Sequence, residues 1–100
     1  MLLGKFNKQP AEREAYAIEY EDDLAKGDTI APAPLVEIVA QGAMPDTSAP
    51  VLFAVDVTAT RVTLWIGGGT VRQTYKVTVT ATTVAGRILQ DEFILKIKDY

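Results

Sequence analysis

The sequence predicts an all-β domain in which two antiparallel sheets pack face to face. Three observations carry this reading. Apolar and polar residues alternate with a period of two in five separate stretches, the pattern of strands with one buried face. Turn residues recur between these stretches, most sharply at "GGGT" (67–70) and "VAG" (84–86). No stretch sustains the 3.6-residue period of an amphipathic helix.

Taken in order, residues 1–14 read as an extended arm and residues 15–100 as the sandwich. "KFNKQPAERE" mixes charge, amide and proline without a stable period. Glu12, Arg13, Glu14 and Ala15 favour helix locally, but Tyr16, Ile18 and Tyr20 alternate with Ala17, Glu19 and Glu21, so a strand is expected there. A turn is expected over Asp22–Gly27. Pro32 and Pro34 cannot donate to a ladder, which places the next strand after them, on Leu35, Val36, Ile38 and Val39. "QGAMPDTSAP" is a loop by composition. "VLFAVDV" is a strand expected to hold Val51, Phe53, Val55 and Val57 on one face. Val62, Leu64 and Ile66 alternate with Arg61, Thr63 and Trp65 in the next strand.

The glycines that follow permit a sharp reversal. The chain then closes on a long hairpin. Tyr75, Val77, Val79 and Ala81 alternate with Lys76, Thr78, Thr80 and Thr82 on its first strand, and Phe93, Leu95 and Ile97 with Ile94, Lys96 and Lys98 on its second. Gly86 takes the left-handed position in the turn between them. The inward set expected from all these patterns is Ile18, Val62, Leu64, Ile66, Tyr75, Val77, Val79, Phe93, Leu95 and Ile97. About seven short strands with regular turns define an immunoglobulin-like antiparallel β-sandwich, here with an extended N-terminal arm.

Composition narrows function. One hundred residues make one domain, and a hydrophobic share of 48% suits a folded core. A net charge of -3 argues against a nucleic-acid partner, since a phosphate backbone calls for a basic face. No apolar run is long enough to span a bilayer, so no membrane partner is expected. The N-terminus lacks the apolar run of a signal peptide, which points to a protein made in the cytoplasm. There is no Cys and no His. Disulfides, thiolate metal sites and the commonest general acid–base are thereby excluded.

Candidate chemistry is correspondingly thin. Glu19, Glu21, Asp22, Asp23 and Asp28 are dense enough to suggest Ca²⁺, but lack the spacing of an EF-hand loop and read as a solvated turn. "GGGT" lacks the lysine and the helix of a phosphate-binding loop. Ser48, the one serine, sits in a proline-flanked loop. No catalytic residue, cofactor or metal ligand is assigned, and the chain is not expected to be an enzyme. Candidate contact residues are Trp65, on the outward face of its strand, and Leu2, Leu3, Phe6, Lys8 and Glu12 in the arm. Leu2, Leu3 and Phe6 would anchor the arm on a neighbour, with Lys8 and Glu12 setting its register. Tyr100 is a further contact candidate or a frayed end.

Five stretches, "KQPAERE", "AYAIEY", "GDTI", "TATRVTLWIGGGT" and "TYKVTVTATTVAGR", occur in this order. Together they resemble the tailed-bacteriophage fiber-tail adaptor family, over Lys8 to Lys98. The chain departs from that family's pattern at "EYEDDL" and at "PAPLVEIVAQGAMPDTSAPVL". The resemblance implies a non-enzymatic structural protein of a phage or prophage particle, a tail or tail-fibre adaptor. It implies contacts with other virion proteins, tail or tail-fibre components, in several copies, within a virion assembled in the host bacterial cytoplasm. The competing reading is a carbohydrate- or surface-binding sandwich module, with Trp65 and Tyr75 as aromatic platforms.

Overall fold

A computed structural model describes residues 2–8, 12–42 and 50–98 of the chain. Seven strands are present among them: β1 (Leu2–Lys8), β2 (Glu14–Glu19), β3 (Leu35–Ala40), β4 (Val51–Val57), β5 (Arg61–Gly67), β6 (Thr74–Thr82) and β7 (Ile88–Ile97). The described helical structure is a single 3₁₀ turn at Glu21–Asp23. One sheet has the order β1-β7-β6-β3 and the other β2-β5-β4. These orders are the C-F-G and B-E-D sheets of an immunoglobulin-like sandwich, with β1 added beside the last strand. All pairings are antiparallel except β1–β7, which is parallel.

The core lies between the two sheets. Every one of the ten residues expected inward is buried, and Tyr20, Ile30 and Ala81 join them. Ile30 lies just before Pro32, where no alternation marks it. Its N–H donates to the Ala59 carbonyl at 2.9 Å, and the Ala31 N–H donates to that of Thr82 at 2.8 Å. This short bridge carries the chain from one sheet to the other, and β3 begins directly after Pro34. The β6–β7 turn is closed by the Thr83 N–H on the Arg87 carbonyl at 2.8 Å, with Gly86 left-handed at φ 94°. Asp28 Oδ1 accepts from the Thr29 and Ala85 N–H groups at 2.9 and 3.0 Å, pinning that turn to the segment before β3.

Tyr75 occupies a position typical of the immunoglobulin fold. It opens β6, is buried, and its hydroxyl accepts from the Thr70 N–H at 3.0 Å, five residues upstream. That is the geometry of a tyrosine corner, in which a phenol satisfies the backbone of the loop entering the strand. As a core residue, Tyr75 is also removed from any role as an exposed aromatic platform.

Two segments differ from the sequence reading. In β4 the expected face of Val51, Phe53, Val55 and Val57 is split. The β4–β5 register shifts between Leu52 and Ala54, so Phe53 is an extra residue. A bulge inverts the phase on one side of it. Leu52, Val55 and Val57 pack on the core, while Val51 and Phe53 are exposed. Within the expected arm, Leu2–Lys8 is extended and pairs with β7 of the same chain. Its period is hidden in the sequence because the register also shifts between Leu2 and Lys5, next to Gly4.

Candidate interaction surface

The outer face of the β2-β5-β4 sheet is built from small and aromatic residues. Trp65 stands on β5, the central strand, because Val62, Leu64 and Ile66 take the inward positions. It is 39% exposed. Its cross-strand neighbours are Ala15 on β2 and Ala54 on β4. Neither has enough bulk to cover an indole. The indole N–H donates to Asp56 Oδ2 at 3.3 Å, which fixes the ring's polar edge and leaves the apolar body for a partner.

The bulge supplies the second aromatic. Phe53 is 48% exposed and its ring lies over Gly67; a Cβ at that glycine would sit 2.4 Å from Phe53 Cε2. Glycine is therefore what lets the ring approach the strand this closely. The Arg13 guanidinium lies 3.5 Å from the Phe53 ring centroid, a cation–π contact. Val51 is exposed beside Phe53. At the far end of the sheet Arg61 Nε and Glu19 Oε2 are 3.0 Å apart, and the hydrogen bond from Arg61 holds the Glu19 carboxyl below the usual carboxylate range. An apolar centre of Val51, Phe53 and Trp65 is thus bordered by Arg13, Asp56, Arg61 and Glu19. Such a centre within a polar rim has the anatomy of a protein contact.

A groove of about 230 Å³ runs beside this face, lined by Phe6, Ala15, Tyr16, Ala17, Ile18 and Phe93. Phe6 meets Phe93 edge-on with centroids 5.5 Å apart, and Tyr16 stacks on Phe93 at 5.2 Å. The Tyr16 hydroxyl is buried without a hydrogen-bond partner among the described residues. Burial, then the charges of Glu14 and Glu12, push its pKa up to about 12. A second cleft, of about 460 Å³, is lined by Arg72, Lys96 and Lys98 together with Val71, Gln73, Thr74 and Ile97.

The candidate contact residues are scattered rather than gathered. Trp65 and Glu12 are exposed, and Phe6 is partly exposed at the groove. Lys8 is buried, with its ammonium donating to the Gly68 carbonyl; burial lowers its pKa, partly offset by Glu12 and Glu14. The Leu2 and Leu3 side chains, Ser48 and Tyr100 lie outside what the structure describes. The acidic stretch does not converge: Glu21–Asp23 form the 3₁₀ turn while Asp28 accepts from Thr29 and Ala85. Among the described residues no group of three acidic side chains is placed to hold a metal ion, and no helix is long and apolar enough to cross a membrane. Sequence reasoning did not find Phe53 as an outward aromatic, because a bulge leaves no mark in an apolar run. The one available signal was Gly67, which lies under its ring.

A family model described as podophage GP4 fiber-tail adaptor protein gp77 matches residues 8–96, most of the chain. No curated protein matches it.

Proposed function

Because the chain belongs to the podophage fiber-tail adaptor family, we propose that it is a non-enzymatic structural part of a phage particle, joining tail and fibre components through protein–protein contacts. The observation that carries the reading is the outer face of β2-β5-β4. There Val51, Phe53 and Trp65 are exposed together on a stable sheet. Trp is strongly enriched among residues that dominate binding energy, and the rim of Arg13, Asp56 and Arg61 gives orientation. Several copies in one particle would turn modest single contacts into firm attachment. In this reading Trp65 is the main contact residue, Phe53 joins it, and Phe6 and Glu12 lie to one side.

The same face favours one other reading. Two exposed aromatics beside charged groups also suit a sugar ligand. Trp65→Ala separates the two. In a phage whose copy of this gene is replaced, the variant should fold normally, yet particles should lose most of their fibres. Normal fibre attachment combined with lost binding to host glycans would overturn the adaptor role in favour of the sugar-binding one.

A further inference from the structure

Among the described residues, the three-stranded sheet has an unpaired edge at β2. An immunoglobulin constant-type sandwich places a first strand beside the second on this sheet. Here β1 lies on β7 instead, so β2 is terminal in its sheet. The backbone phase of that edge is fixed. The Tyr20 N–H donates to the Thr60 carbonyl at 2.8 Å, and Ile18 pairs with Val62 in the same register. Even-numbered residues of β2 therefore direct their N–H and C=O groups at β5. Ala15, Ala17 and Glu19 direct theirs away from the sheet.

Native edges are normally blunted by bulges, lysines or prolines. β1 and β4 each carry a bulge. β2 pairs without interruption, and its middle, "AYAI", carries no charge. The apolar groove lined by Phe6, Tyr16, Ile18 and Phe93 runs directly beside it. Both ends of the edge are acidic, with Glu12 and Glu14 at one and Glu21, Asp22 and Asp23 at the other. Four cations lie near these carboxylates: Lys8 within electrostatic range of Glu12 and Glu14, Arg13 over Phe53, Arg61 on Glu19, and Arg87 on the Asp23 carbonyl. With Glu19, the six carboxylates outnumber them, so the edge stays negative.

We propose that the β2 edge is a strand-docking site. It takes an extended segment of another protein, apolar at alternate positions and basic at both ends. Main-chain bonds to Ala15, Ala17 and Glu19 would supply affinity, and apolar side chains entering the groove would supply register. Acidic ends select basic flanks and reject acidic ones. The inference rests on the adaptor reading only for the source of the segment, a neighbouring virion protein.

The probe is a synthetic peptide, Lys-Val-Thr-Val-Thr-Val-Lys with blocked ends, titrated into the isotope-labelled full chain and followed by amide NMR. Shifts and slowed exchange should centre on the Ala15, Ala17 and Glu19 amides. Ala17→Pro removes an outward N–H without touching the β2–β5 ladder, and should weaken binding about tenfold, the equivalent of one main-chain bond. The exposed pair Glu14→Lys and Glu21→Lys keeps the test open if the proline variant does not fold. It should weaken binding of this peptide and strengthen that of a Glu-flanked one, with a contrast that fades in high salt. Shifts centred on Leu35–Ala40, indifference to charge reversal, or no binding at millimolar peptide would overturn the proposal. Any of these, with fibre attachment still dependent on Trp65, would leave the adaptor reading standing.

Discussion

Tyr16 and Tyr75 are both inward-facing phenols, and their hydroxyls stand in opposite circumstances. The Tyr75 oxygen satisfies the buried Thr70 N–H. Tyr75→Phe orphans that donor and should lower stability by about 1–3 kcal/mol in denaturant titration. The Tyr16 oxygen is buried without a partner among the described residues. Tyr16→Phe should be neutral or stabilising in the same assay. Their titration also differs from ordinary tyrosine. Between the ordinary value of 10.0 and about 12, the unfolded chain has released the Tyr16 proton while the folded chain still holds it. The folded state then binds more protons, so stability is full below this window and falls as pH rises through it. Tyr20, pushed up by burial and by Asp91, acts in the same direction. Tyr16→Phe should therefore flatten part of the alkaline decline. Alternation alone placed Tyr75 in the inward set and Tyr16 in phase with Ile18; which hydroxyl finds a donor depends on the loop geometry at Thr70, which no residue pattern encodes.

At the scale of elements, bulges decide what could be read. β5, β6 and β7 alternate without interruption, and their faces follow from the sequence. β4 does not, because the extra residue at Phe53 turns an apparent four-residue face into two half-faces. β1 was hidden for the same reason, compounded by Gly4. The consequence for β1 is measurable. Phe6 packs on Tyr16 and Phe93, and Lys8 is buried against the Gly68 carbonyl. Removing residues 1–9 uncovers that side of β7 and should lower stability by about 1–3 kcal/mol, the scale of one large apolar side chain. An arm that orders only on a neighbouring subunit would instead leave the isolated domain's melting temperature unchanged.

At the scale of the molecule, the inner faces of two sheets make one core, and the outer face of the smaller sheet is left apolar. The core's members were legible because a two-residue period maps directly onto inside and outside. Leu95, fully buried at the centre of the larger sheet, should cost about 2–5 kcal/mol on truncation to Ala. The outer face was half legible: Trp65 followed from the inward set, whereas Phe53 required the bulge. Side-chain footprinting with hydroxyl radicals, on free protein and on assembled particles, tests most directly whether this face meets other virion proteins. Trp65 and Phe53 should be oxidised in the free chain and protected in the particle, while exposed Val84 on the β6–β7 turn and Ile88 at the start of β7 serve as references. Equal oxidation of Trp65 and Phe53 in both states would contradict the assignment of this sheet as the contact surface.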